Sequence, residues 1–424
     1  MLLKIKTAII TIFFSSLSFG FDSYEHKYIG NNVSIFCPVS FHHHAGVDIE
    51  NRVPAKFCPL HFENQLSLTM GQIIALAGDF YGLSYEGAFY KPYTPIQSIA
   101  DKDLKLSDLY KPMTKNEKNR FMSGFNSLYK DTLAKVEVPK IIKIINKVES
   151  MIKRKKKYDP TCDYEYATGA KICSFGIPSP SDDFNGRYLK LAENNLDHFG
   201  IHAIRTYIIG HTLALECAEE TEIARLSSEK GQRQFSRCLA LEGYAQHFLT
   251  DIHSGGHIRT PRVELMDSIK PYSATIAGLL AKTMHDEDST FGVEVDNHAQ
   301  DSWKAYGDDY LLNEQILPKE DKDQLSIILR TSQASIDEVI DSLLYKRSYI
   351  IAQYAGLQLI PLLDDIRISN AQMIDKASNS PLFITDSSRS KVLRRTNMGD
   401  RKDFSWIENW TVVGTIGKAV YYTH

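Results

Sequence analysis

Apolar residues recur at helical spacing over 66–76, 140–152, 188–196, 202–219, 234–251, 266–284, 324–344 and 352–374, which predicts a body built mostly of α-helices. Between these stretches the chain is punctuated. Pro160, Pro178 and Pro180 mark a loop-rich region, and 151–157 carries five basic residues that read as a solvated helix end or, alternatively, a lipid-headgroup contact. Near residue 381 the pattern changes. Phe383-Ile-Thr, Trp406-Ile-Glu-Asn-Trp-Thr-Val-Val and Ala419-Val-Tyr-Tyr-Thr are rich in β-branched and aromatic residues. The predicted architecture is therefore mainly α, a multi-helix body over 21–380 with a small β-rich appendage over 381–424.

With 424 residues, 43% of them hydrophobic, the chain is long enough to bury a large core. Its first twenty residues read as a secretion signal: Lys4 and Lys6, an apolar run over 7–14, and small residues Ser18 and Gly20 ahead of a cut before Phe21. The run falls short of the ~20 residues a membrane span needs. Cleavage removes two lysines and no acid, moving the formal charge from −3 to −5, which argues against nucleic acid as a partner. Six cysteines without a CxxC pair read as disulfides in an exported protein. The simplest pairing joins neighbours: Cys37 with Cys58, Cys162 with Cys173, Cys217 with Cys238.

The strongest chemical signal is Gln246-His-Phe-Leu-Thr-Asp-Ile-His-Ser-Gly-Gly-His257. His247 and Asp251 stand four apart on one helical face, so an imidazole and a carboxylate share a direction, and Gly255 and Gly256 free the backbone to bring in His257. The bland alternative is a surface pair or a satisfied core contact. Among His198, His202 and His211, the first is the candidate ligand because it lies at a helix junction beside Gly200; His211 fits equally as a hydrogen-bonded core residue. Asp79 follows an apolar helix and sits between glycines, where a buried carboxylate is expensive unless paired or metal-bound; a turn aspartate is the alternative. His285 and Asp288 lie three apart at the end of another apolar helix, with His298 and Asp301 as the runner-up pair. The tract His42-His43-His44 reads as an exposed loop.

These motifs resemble the zinc-dependent phospholipases C of bacteria, whose superfamily includes the single-strand nucleases of fungi and plants. Ala77-Gly-Asp-Phe-Tyr-Gly, Asn195-Leu-Asp-His-Phe-Gly and His285-Asp-Glu-Asp are most similar to the secreted zinc metallophospholipases C of Legionella and Pseudomonas. The resemblance spans roughly 21–310 and is specific around 247–257. It implies a mainly α-helical catalytic domain holding three zinc ions, with the freed N-terminal residue as a ligand through backbone atoms. Phe21 and His26 would then bind one ion, and Asp251 would bridge to a second held by Asp79, His198 and His247. His257, His285 and Asp288 would hold the third. Two departures stand out: Phe21 replaces the usual Trp, and His285 and Asp288 are one residue closer than the family's His-x3-acid.

The implied activity is hydrolysis of glycerophospholipids to diacylglycerol and a phosphorylated headgroup, with Asp79 orienting or deprotonating the attacking water. The implied setting is a bacterial periplasm or exterior, with transient membrane-surface contact and no nucleic-acid partner. The rival reading is a nuclease or nucleotidase on the same metals, with Tyr81, Tyr244 and Phe248 as stacking platforms. A third is a zinc-binding surface protein without catalysis, which would need a closed shell of ligands.

Overall fold

A computed structural model describes residues 22–38, 52–83, 98–174, 186–269, 274–307, 310–312, 323–362, 379–386 and 391–422. The signal segment, Phe21 and the histidine tract at 42–44 lie outside them. The first described helix, α1 (Ser23–Asn31), has no apolar stripe for a sequence reading to find. A capping box starts it: Asp22 accepts from the Tyr24 N–H while Glu25 reaches back to the Asp22 N–H. Two short antiparallel pairs follow, β1 (Ser34–Ile35) with β2 (Val53–Pro54) and β3 (Leu60–His61) with β4 (Ser67–Leu68). Helix α2 (Met70–Leu76) is opened by Thr69 and Gln72 in a second capping box.

Helix α3 (Lys115–Tyr129) leads into α4 (Thr132–Lys153), and the short α5 (Thr161–Ala167) and α6 (Arg187–Glu193) flank a loop tied by the Cys162–Cys173 disulfide. The centre of the body is the hairpin of α7 (Gly200–Glu220) and α8 (Glu229–Asp251), clamped near its turn by Cys217–Cys238. Cys37–Cys58 completes the neighbour pairing expected from the sequence. The remaining elements are α9 (Gly255–Ile258), α10 (Arg262–Ser268), α11 (Ala274–Phe291), the hairpin β5 (Val293–Asp296) and β6 (Ser302–Ala305), α12 (Asp323–Tyr345), a three-stranded sheet of β7 (Phe383–Thr385), β8 (Val392–Arg395) and β9 (Trp406–Ile407), and α13 (Val412–Tyr422).

Apolar side chains of α2, α7, α8 and α12 form one continuous core, including Ile73, Ile74, Tyr207, Ile208, Tyr244, Phe248 and Ile336. Burying a large apolar side chain stabilises by about 1.5–3 kcal/mol, so this stack dominates the fold. Embedded in it is an ionic triad: His211 Nδ1 lies 2.7 Å from Glu242 Oε2 and its Nε2 lies 3.3 Å from Glu338 Oε2, joining α7, α8 and α12. His211 is thus the core histidine the sequence allowed. A second cluster joins α10 and α11 to β7 and β8 through Leu265, Leu280, Met284, Phe383, Ile384 and Val392. Arg395 pairs there with Glu287 of α11. The C-terminal strands are therefore packed against the helix that carries His285.

Three expectations are corrected. The apolar stretch at 266–284 is divided between two helices, α10 and α11, and residues 270–273 between them lie outside the described residues. The stretch beginning at 352 has two 3-10 turns, Ile351–Gln353 and Ala355–Gln358, ahead of Pro361, and its remainder from 363 lies outside the described residues. Ala419-Val-Tyr-Tyr, read as a strand, falls within α13, a helix that contacts α11. No described helix is long and apolar enough to cross a membrane.

Candidate metal centre

Helix α8 presents His247 and Asp251 from its last turns, both buried. At the end of α2 the chain turns through Gly78, whose φ of +67° suits glycine, and Asp79 follows. A Cβ on Gly78 would fall 2.5 Å from His247 Nε2 and 2.6 Å from His198 Cε1, so no other residue fits between the two imidazoles. His198 ends a 3-10 turn ahead of α7, His26 comes from α1, and His257 from α9. Segments far apart in sequence thus converge on one buried spot.

Asp251 is its hub. Its Oδ2 lies 2.8 Å from His198 Nδ1 and 3.4 Å from His247 Nε2, while its Oδ1 lies 3.3 Å from His26 Nε2 and 3.6 Å from His257 Nδ1. Asp79 Oδ1 stands 3.8 Å from His247 Nε2 and 4.0 Å from His198 Nδ1. The nitrogens of His247 and His198 face each other at 3.2 Å. Among the described residues, three sets of potential ligand atoms lie close together: His26 with His247 and Asp251, Asp79 with His198 and His247, and His198 with Asp251 and His257.

Outer contacts aim the rings. His247 Nδ1 donates to the Ile74 carbonyl at 2.9 Å, leaving the Nε2 lone pair toward the carboxylates. Thr250 Oγ1 gives its proton to the carbonyls of Gln246 and His247, at 2.8 and 2.9 Å, and so accepts from His26 Nδ1 at 2.9 Å. The Nε2 of His26 is thereby left as an acceptor facing Asp251. Imidazoles held in this tautomer are ready metal ligands.

The electrostatics are compatible with a site that could hold a cation. Burial, reinforced by Asp251 and Asp22 against the opposing pull of His198, raises the Asp79 pKa well above the usual carboxylate range. Both Asp79 oxygens are buried and accept no hydrogen bond, a costly state unless a cation compensates it. Burial also pushes against ionised Asp251, but His247, His257 and His198 outweigh it and hold that carboxyl well below its ordinary range. Burial outweighs the pull of Asp251 and moves His247 and His257 well below the ordinary imidazole pKa. A set of nitrogen and carboxylate donors, two of its oxygens unbonded, fits one or more divalent ions.

His285 adjoins the cluster through His257, their ring centroids 5.0 Å apart, and its Nδ1 contacts Asp286 Oδ1 at 3.1 Å. Asp288 does not join. Its two oxygens receive Arg259 Nε at 2.9 Å and Nη2 at 2.8 Å, a bidentate pair that takes up the carboxylate, so it is dropped as a ligand. The runner-up pair is excluded as well: His298 is exposed, and Asp301 is bound by Asn297 and Arg330. His202 contacts the Lys102 carbonyl instead. Gly255 and Gly256 serve close packing rather than free swing, since a Cβ on them would lie 2.4 Å from the Ala305 carbonyl and 2.4 Å from His285 Cδ2. The three rings considered as base platforms are core: Tyr81, Tyr244 and Phe248 are buried, and the Tyr244 hydroxyl donates to the Tyr81 carbonyl.

The sequence reading did not single out Thr250, Arg259 or the Ile74 carbonyl. Thr250 was within reach, directly preceding Asp251 in the central motif, but its role depends on α1 crossing α8. Asp22, whose charge acts on Asp79, places the start of α1 beside the centre. Comparison of the chain with models of known families, with curated proteins and with solved structures gives no match.

Proposed function

We propose that this chain is a secreted zinc-dependent phospholipase C, cleaving the phosphodiester of a glycerophospholipid to diacylglycerol and a phosphorylated headgroup. The observation that carries the reading is the convergence of His26, His198, His247 and His257 on Asp251, with the unbonded carboxylate of Asp79 beside them. Zinc suits such nitrogen and oxygen donors, and the candidate ligand sets share His198, His247 and Asp251 in one clustered centre. When bound, it supplies Lewis-acid charge that activates water near neutral pH and offsets the charge of the phosphodiester.

The chain's own residues do the rest. Asp251 ties the imidazoles into one unit, Ile74 and Thr250 hold two of them in register, and Asp79 orients the attacking water and takes up its proton at a carboxylate oxygen. The water oxygen bonds to phosphorus as the bond from phosphorus to the glycerol oxygen breaks, and the proton reaches the leaving alcohol. The apolar wall of Phe199 and Phe248 against the histidines keeps bulk water from screening these charges. The neighbour disulfides suit an oxidising compartment, in keeping with export.

Purified protein is expected to contain zinc and to release a phosphorylated headgroup from phosphatidylcholine or phosphatidylglycerol, and His247→Ala to lose both. Metal analysis and phosphate release read this directly. Free fatty acid as the product, or faster turnover of single-stranded DNA than of lipid micelles, rejects the assignment.

A further inference from the structure

The outer face of α4 sets exposed apolar residues beside a row of lysines. Ala134, Val138, Ile141, Ile145 and Val148 form its buried stripe, and on the opposite side Leu133, Val136, Lys140, Lys143 and Lys147 recur at helical spacing, all exposed. Leu133 is 50% and Val136 56% exposed, adjacent to one another on this face. Helix and run together, residues 140–157 hold eight basic residues and one acid, in a chain whose formal charge is −3. The single acid, Glu149, is taken by Lys27 and Lys153. Lys140, Lys143 and the run 154–157 make no ion pair among the described residues.

The face continues onto α5. Lys147 lies 3.1 Å from Asp163 and 3.9 Å above the Tyr158 ring, so α5 abuts the stripe there. Tyr166, three residues after Asp163 on the same side of α5, is 50% exposed, and Ile172 is 47% exposed on the loop closed by Cys162–Cys173. Unpaired cations on long stems, interleaved with exposed apolar and aromatic side chains on a disulfide-braced frame, match one kind of surface. We propose that this face docks the protein on an anionic lipid bilayer, the lysines meeting phosphate headgroups and Leu133, Val136, Tyr166 and Ile172 entering the interface. A purely solvated helix end needs no exposed apolar residues, and a nucleic-acid groove would not call for Leu133 and Val136. The inference rests on this surface alone and holds for any activity of the metal centre.

The test is flotation of the full protein with vesicles of phosphatidylcholine alone and of phosphatidylcholine mixed with phosphatidylglycerol, beside the fourfold variant Lys140→Gln, Lys143→Gln, Arg154→Gln, Lys156→Gln. The protein is expected to bind the mixed vesicles selectively, to be released by high salt, and to bind about 100-fold more weakly in the variant. Leu133→Ser with Val136→Ser is expected to weaken binding while leaving the salt dependence. All six positions are exposed, so thermal melts of the variants should overlay the parent. Equal binding by parent and variant, or equal binding to neutral vesicles, overturns the proposal. Headgroup release measured in the same samples separates the two claims: docking without release refutes the phospholipase reading alone, and release without selective docking refutes this one alone.

Discussion

Asp251→Asn is expected to abolish phosphodiester hydrolysis, by about 10³-fold or more, and to strip metal from the protein. Asparagine keeps the shape of the side chain but removes the charge on which His26, His198, His247 and His257 converge at 2.8–3.6 Å. One oxygen would become an amide that donates instead of accepting, facing imidazole lone pairs that also need an electrophile. Every potential ligand set except that of Asp79, His198 and His247 includes Asp251, so its loss should lower metal content by more than one site's share. Metal analysis and turnover on the same preparation check this. An Asp251→Asn protein with full metal and full rate would falsify the placement of catalysis at this cluster.

The second large effect is on stability. His211→Ala is expected to destabilise the fold by about 3–5 kcal/mol, because it leaves Glu242 and Glu338 as buried charges without their shared partner. Urea unfolding followed by circular dichroism reads the loss as a lower midpoint at unchanged slope. The same triad sets a pH dependence. Burial works to lower the His211 pKa, but the charge and hydrogen bonds of Glu242 and Glu338 prevail and raise it to about 9, against an ordinary value near 6.5. The folded chain therefore holds this proton more tightly than the unfolded chain. Its contribution is full below about pH 6.5 and is lost as pH climbs through about 9. The parent should lose stability across that window, and His211→Gln should flatten the loss. An identical slope in both would assign the alkaline limb to other groups.

The individual cases show what could be read in advance. Helices α7 and α8 follow from long apolar periodicity, and the i, i+4 spacing of His247 and Asp251 is local, so both were legible. The neighbour disulfides were legible too, because each closes a short loop. Helix α1 was not, since its mean character is polar and its stability comes from the Asp22 and Glu25 cap and from packing. Asp288 misled for the opposite reason. Its spacing from His285 is that of a shared helical face, yet spacing says nothing about Arg259, which arrives from the turn after α9 and takes both oxygens.

The amino-acid sequence by itself determined a mainly helical chain, its paired cysteines, and a set of histidines and acids of the kind that holds metal. Those are properties of local periodicity and of side-chain chemistry, which neighbours along the chain decide. Which imidazoles meet Asp251, which tautomer each adopts, and which acid is neutralised by an arginine were decided only in three dimensions. Those outcomes depend on distances between residues hundreds of positions apart, such as His26 and Thr250, and on a low-dielectric interior that exists only once the helices have packed.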